Sequence, residues 1–176
     1  MLPKRLGPAI VYLTLALTAL LFLLAKSSLA ALGSDPILVL ADISALLGTI
    51  LFMFSFLFAC RLEIVEDAFG GLDKVYRFHH QAGVWSFTFL SLHFLSLWAD
   101  YALNGIPLWQ LMTSDPVYIT GALGLLTMAI IIFTIIFAKI PYQIFVFIQK
   151  LFAIPLAFGI IHLFLVPSDV SRFRPL

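Results

Sequence analysis

The chain alternates between long apolar runs and short segments that hold most of its charged side chains. Five runs stand out: Gly7–Ala25, Pro36–Cys60, Gln81–Ala99, Val117–Ala138 and Ile140–Val166. Each provides about the 20 residues that a helix needs to cross roughly 30 Å of hydrocarbon at about 1.5 Å per residue. Lipid offers the backbone no hydrogen-bond partners, so segments of this kind must be helical. The pattern predicts an all-α membrane protein, a bundle of five transmembrane helices.

Two of the connections between these runs are long enough to hold structure of their own. Arg61–Phe78 is the most polar part of the chain, and its Gly70-Gly71 pair precedes a helix-compatible stretch. We expect an interfacial helix here, leading into the third span. The connection after the third span carries Tyr101 and Trp109, whose amphipathic rings are typical of the membrane interface.

The composition supports a membrane protein and excludes several other classes. Hydrophobic residues make up 62% of the 176 positions and charged residues 11%, and a soluble core of this size could not bury so much apolar surface. Neither a glycine-rich phosphate loop nor an alternation of strands and helices occurs, so we expect no flavin or nucleotide domain on this chain. The net charge of +1 gives no reason to expect nucleic acid as a partner. The single Cys60 excludes an internal disulfide.

The positions of the basic residues predict which end of each span is cytoplasmic, because loops rich in Lys and Arg stay inside. A cytoplasmic N-terminus places seven of the ten basic residues on the inner side: Lys4, Arg5, Arg61, Lys74, Arg77, Lys139 and Lys150. The outer side then holds Lys26, Arg172 and Arg174. We therefore expect a multi-pass protein of the inner (plasma) membrane. The odd number of spans and the short tail after Val166 suggest truncation before or within a sixth helix.

Four histidines are the candidates for chemistry within or near the bilayer: His79, His80, His93 and His162. A lone histidine in a membrane helix is more often a packing or hydrogen-bonding residue than a ligand. The arrangement of these histidines favours a different interpretation. His79 and His93 are 14 residues apart on the third span. That separation leaves them about 40° apart around the helix and roughly 21 Å apart along it, so one lies near each side of the membrane.

The histidines of the third and fifth spans are predicted to reach the same depth. His93 lies seven residues before Asp100, and His162 lies seven residues before Asp169. The two spans run in the same direction, so their imidazoles would face each other at one level. A flat iron porphyrin held between two helices needs that arrangement.

Small residues near these histidines would let a bulky group approach. The face of the third span that carries His79 and His93 also carries Ala82, Gly83, Ser86 and Leu90, and it is small near its cytoplasmic end. On the fifth span Gly159 lies one turn before His162. The alternative is that small residues simply let helices pack closely. Pro155 predicts a kink in the fifth span. Gln149 and His162 lie 13 residues apart, which on a straight helix would leave them about 140° apart, so the kink affects how they face.

Three segments and the histidine spacings carry a resemblance to a known family. "GGLDKVYRFHHQAG" is similar to the family's entry to its third helix, in which a histidine, usually followed by Arg, precedes a glycine four positions on. "IPYQIFVFIQKLF" is similar to its fifth-helix entry, in which Pro-Tyr leads through an aromatic residue to His-Arg/Lys-Leu. "SDVSRFRPL" is similar to the lead into a sixth helix. From Arg61 onward the chain resembles the transmembrane haem domain of ferric reductases and NADPH oxidases, especially the bacterial members.

The resemblance implies that residues 1–176 form a single transmembrane domain with b-type haem held between helices 3 and 5. The family's domain has six helices, of which five are predicted in these residues. His93 and His162 would be the axial pair of an outer haem. An inner haem would use His79 and the residue at the next ligand position, which here is Gln149, a poor iron ligand beside imidazole. Three outcomes stay open: a single outer haem, a five-coordinate inner haem on His79, or an inner haem whose second ligand comes from elsewhere.

The resemblance also suggests contacts for the inner haem propionates. His80 occupies the position of the family's usual Arg, and we expect it to lie near a propionate together with Arg77 and Lys150. The alternative for Arg77 and Lys150 is that they mark the cytoplasmic interface, as basic residues do in other membrane proteins.

The function that the resemblance implies is that of an oxidoreductase membrane component. Electrons would pass through haem from a cytoplasmic flavoprotein domain or subunit, carrying FAD and NAD(P)H, to ferric iron or oxygen outside. One alternative is a standalone haem subunit that feeds a periplasmic reductase, as in methionine sulfoxide repair. Another is a non-redox helical membrane protein.

Overall fold

The computed structural model describes residues 6–25 and 35–166, and the regular structure in these ranges is helical. The helices are α1 Leu6–Ala25, α2 Pro36–Ala59, α3 Glu63–Phe69, α4 Leu72–Leu103, α5 Leu108–Ser114, α6 Pro116–Phe137, α7 Tyr142–Lys150 and α8 Ala153–Leu165. Five segments of this part of the chain are long and apolar enough to cross a membrane, with α7 and α8 together forming the fifth. The predicted all-α class and the five spans are confirmed. The predictions that fall on Lys4, Arg5, Lys26, Asp169 and the tail to Leu176 lie outside the described residues.

The third span is longer than its apolar run. Helix α4 has 32 residues, about 48 Å, and begins at Leu72, nine residues before the predicted Gln81. Polar side chains interrupt the apolar run there without interrupting the helix. The preceding connection contains the expected helix, α3, which ends at Gly70 in the left-handed conformation with φ 74°. A glycine in that conformation ends a helix at little steric cost, and so separates α3 from α4.

The second and fourth spans begin with the same two-residue signal. Asp35 and Asp115 cap α2 and α6, each accepting a hydrogen bond from a backbone N–H of the first turn. The next residues, Pro36 and Pro116, occupy the first helical position, where the missing N–H is not needed. An Asp cap followed by Pro therefore fixes the start of both spans, at the side of the membrane predicted to be outer.

The fifth span is broken where the sequence predicts a kink. Helix α7 ends at Lys150 and α8 begins at Ala153, with a turn at residues 151–152. Pro155, in the first turn of α8, has no N–H to donate to the carbonyl of Leu151. The backbone is satisfied locally instead, because Phe152 N–H donates to Gln149 and Ile154 N–H to Leu151. The prediction for Pro155 is confirmed.

The chain divides into two compact units, residues 1–100 and residues 101–176. The first has an apolar core formed by seven buried residues: Val11, Leu51, Phe58, Ala68, Phe69, Val75 and Ala82. In the second, α6 packs along α8 and also contacts α5 and α7. Large apolar side chains are exposed on the described spans, including Leu13, Phe133 and Phe164. Such surfaces suit contact with lipid tails, as expected of a multi-pass membrane protein.

Candidate functional site

His93 is oriented by a backbone group of the neighbouring helix α2. Its Nδ1 lies 2.9 Å from the carbonyl oxygen of Ala41. A carbonyl can only accept, so Nδ1 carries the hydrogen and donates it. The lone pair of this tautomer is on Nε2, the atom that a metal would take.

His79, near the other end of the contact between α2 and α4, also bonds to a backbone carbonyl of α2. Its Nδ1 lies 2.9 Å from the carbonyl oxygen of Ser55 and 3.2 Å from the Oγ of the same residue. The hydroxyl could donate to an unprotonated Nδ1, but two lone pairs would then face each other across the shorter contact. The carbonyl therefore decides the tautomer, and His79 also carries its lone pair on Nε2.

His162 repeats the arrangement in the second unit, on α8. Its Nδ1 lies 2.8 Å from the carbonyl oxygen of Val117, in the first turn of α6. The ring lies against Gly121, where an added Cβ would come within 2.9 Å of the imidazole Cε1 and 3.0 Å of Nδ1. Sequence reasoning missed Gly121. The available signal was its glycine pair with Gly124, three residues on along the same helix.

The contacts between α2 and α4 form a regular series. Ser86, midway between His79 and His93, donates from Oγ to the carbonyl of Gly48 at 2.9 Å. The acceptors Ala41, Gly48 and Ser55 are spaced by seven residues, and so are their donors His93, Ser86 and His79. Acceptor numbers rise as donor numbers fall, so the helices are antiparallel. A shared repeat of seven is the period of left-handed helix packing. Two candidate ligands therefore belong to one continuous interface.

The remaining candidates lie at the surface of their units. His80 and Arg77 on α4 are exposed, as are Gln149 and Lys150 in the last turn of α7. His79 and His93 belong to the first unit, and Gln149 and His162 to the second. The pairing of His93 with His162, and of His79 with Gln149, stays a prediction.

The geometry of these histidines is compatible with the axial ligands that a haem takes from a protein. Within residues 6–25 and 35–166, no three His, Cys, Asp or Glu side chains come together as an ion site. Haem iron takes its equatorial ligands from the porphyrin and needs only axial ligands from the protein. Metal-ligating histidines commonly donate their other N–H to a carbonyl, which fixes the tautomer and the ring plane. His79, His93 and His162 all meet that condition.

A pair of tyrosines lies in the second unit, where α4 ends and α6 begins. The hydroxyls of Tyr101 and Tyr118 are hydrogen-bonded, and their rings meet edge to face. Tyr101 was expected only as an interface anchor. The pairing could not be found from sequence because it depends on the path of the connection between the two spans.

The five long apolar helices indicate a multi-pass membrane protein, and three of its histidines bond Nδ1 to a backbone carbonyl. The family model for the ferric reductase like transmembrane component matches residues 44–160, and the chain belongs to that family. His79 and His93 lie inside the matched region, and His162 lies two residues beyond its end. A comparison with curated proteins finds no match. Membership of the family indicates transmembrane electron transfer and an oxidoreductase component.

Proposed function

We propose that this chain binds haem b and transfers electrons across the inner membrane. One observation carries the proposal: His79, His93 and His162 all donate Nδ1–H to a carbonyl of a neighbouring helix. A histidine that only ties two helices together could donate from either ring nitrogen. The same nitrogen is used at three positions, which leaves the same ligand atom, Nε2, at each of them.

In this proposal His93 and His162 would hold the iron of the outer haem. When bound, haem supplies the one-electron chemistry of its iron. The residues of the chain hold the two imidazoles by the carbonyls of Ala41 and Val117.

The inner position is the weaker of the two. His79 supplies an imidazole, but the family's second ligand position holds Gln149, whose amide is a poor iron ligand. We expect about one tightly bound haem per polypeptide for this reason. His80, Arg77 and Lys150 are exposed and can reach the membrane interface, where haem propionates would be neutralised by positive charge.

The electron donor is a cytoplasmic flavoprotein domain or subunit with FAD and NAD(P)H, and the acceptor on the outer side is ferric iron or oxygen. The family supports a redox partner of this kind. Orientation with the N-terminus inside is supported by Arg61, Lys74, Arg77 and Lys139, which fall on the cytoplasmic side in that topology.

The haem content of the purified full chain tests the proposal. A pyridine haemochrome assay should give about one haem per polypeptide for the parent and a near-complete loss for His162→Ala, because one axial ligand of the tight site is gone. His79→Ala should retain most of the haem. Phe164→Ala, an exposed change two residues from His162, is the control and should keep the parent ratio. An unchanged ratio and spectrum in His162→Ala would rule out the outer pairing.

A further inference from the structure

Helices α2 and α4 come into close contact halfway between the two histidines of α4. A Cβ added to Gly48 would lie 2.9 Å from Leu90 Cγ and 3.1 Å from the backbone nitrogen of Leu90. Backbone meets backbone there with no room for a methyl group. Ser86 is fully buried beside this contact, and its hydroxyl donates to the Gly48 carbonyl.

The close approach of α2 and α4 matters because the side chains around a helical backbone carbonyl block access to it from a neighbouring helix. A donor on a neighbouring helix reaches such a carbonyl only where local residues are small. The three α2 acceptors are Ala41, Gly48 and Ser55, all small and all buried. The imidazole Nδ1 is near the backbone of its own residue and has a short reach. The separation of the two helices therefore decides whether both histidines can donate.

We propose that α2 positions both α4 histidines, and that the Gly48–Ser86 contact sets the separation and register on which both depend. Gly48 on α2 and Ser86 on α4 are positioning residues, because neither is assigned to the iron. What the histidines bind rests on the proposed function. Their orientation by α2 does not.

One substitution at this contact should therefore affect two distant ligands together. Gly48 lies seven residues, roughly 10.5 Å along the helix, from each of the carbonyls that orient His93 and His79. A larger separation between α2 and α4 would lengthen the hydrogen bonds from Nδ1 of His79 and His93 to the carbonyls of Ser55 and Ala41. A weaker bond makes the imidazole less basic and favours ferrous iron, so the potential of any haem on these ligands moves to more positive values.

The experiment uses the full chain labelled with ¹⁵N-histidine in lipid nanodiscs, in the reduced, diamagnetic state. NMR reports the tautomer and the Nδ1–H hydrogen bond of each histidine, and a redox titration reports the midpoint potential of bound haem. The variants are Gly48→Ala, which forces the helices apart, and Ser86→Ala, which removes the central hydrogen bond without adding bulk. Thr88→Val is the matched control, because it removes a hydroxyl of α4 that bonds within its own helix, to Val84.

We expect Nδ1–H tautomers at His79, His93 and His162 in the parent chain. Gly48→Ala should shift the His79 and His93 signals together and leave His162, whose acceptor is Val117, unchanged. Ser86→Ala should shift the same two signals by less, and it decides the question alone if Gly48→Ala does not fold. A change at only one α4 histidine, or at neither, would overturn the proposal. The expected shifts in a chain that binds no haem would support this inference while refuting the proposed function.

Discussion

The two units of the molecule support their histidines in different ways. In residues 1–100, His79 and His93 stand on one unbroken helix, α4, and both donate to α2. In residues 101–176, His162 stands on α8, separated from Gln149 by the turn at residues 151–152. His162 has its own support, the Val117 carbonyl and the surface of Gly121.

This difference concerns how many histidines each unit orients through a backbone carbonyl. A straight helix facing a straight neighbour can orient two ligands with one repeating interface. A broken helix cannot, so each half needs separate contacts. The second unit provides such contacts at His162, whereas Gln149 is exposed in the last turn of α7. The first unit thus orients two histidines through backbone carbonyls and the second orients one.

The largest expected effect comes from restoring the missing imidazole. Gln149→His should raise the haem content from about one to about two per polypeptide when haem is in excess. The second haem should be the more easily lost, because the new imidazole would sit at an exposed position. The haemochrome assay, repeated after washing, measures both ratios.

The control for this change is Phe147→His, an exposed position two residues away that adds a histidine outside the ligand position. It should leave the ratio at the parent value. A parent ratio already near two would contradict the proposed difference between the two units, since it would mean that Gln149 does not prevent inner haem binding.

A smaller effect is expected from changing the support of His162. Gly121→Ala places a methyl group within 2.9 Å of the imidazole, so the ring must tilt or move. Changes of this kind beside a metal ligand commonly cost about tenfold or more in affinity. Haem dissociation to an apo-globin scavenger, followed by absorbance, measures the change in rate.

Gly124→Ala provides the comparison for Gly121→Ala at the same helix interface. The methyl group would there meet Phe158 Cβ at 3.2 Å and not the imidazole. It should disturb helix packing with a smaller effect on haem dissociation. Equal effects of the two substitutions would show that Gly121 acts only through packing.

The smallest effect on the site is expected from a change in the part of the first unit away from the histidines. Gly7 of α1 lies against the ring of Phe69, and an added Cβ would come within 2.2 Å of it. Gly7→Ala should destabilise the fold by about 1–3 kcal/mol through overpacking. Thermal unfolding should show a lower Tm with an unchanged haem ratio, and Ala16→Leu, on an exposed part of α1, should leave both unchanged. Loss of haem in Gly7→Ala would mean that α1 supports the site as well.

Much of the fold could be predicted because a bilayer imposes simple rules. Length and apolarity identify the five spans, and the missing N–H of Pro155 identifies the break in the fifth. The start of α4 at Leu72 could not be read from apolarity, since helix propensity continues through polar residues such as Lys74 and Arg77. The length of a helix and the length of its apolar run are therefore separate properties.

The candidate ligands could also be found from sequence, but their supports could not. Spacing selects His79, His93 and His162, because helical geometry relates position to depth. Their acceptors are backbone carbonyls, which every residue carries, so no residue type marks Ala41 or Val117. Gly121 forms a pair with Gly124 in the sequence, but nothing in the sequence indicates that an imidazole lies against it.

The proposed function depends most on the assignment of His93 and His162 to one iron. Electron paramagnetic resonance of the ferric protein tests it most directly, on the parent, on His93→Ala, on His162→Ala and on the double variant. If both histidines bind one iron, the parent should show one low-spin bis-histidine signal that disappears in either single variant, with no further loss in the double variant. A single variant that kept this low-spin signal would contradict the pairing of His93 with His162.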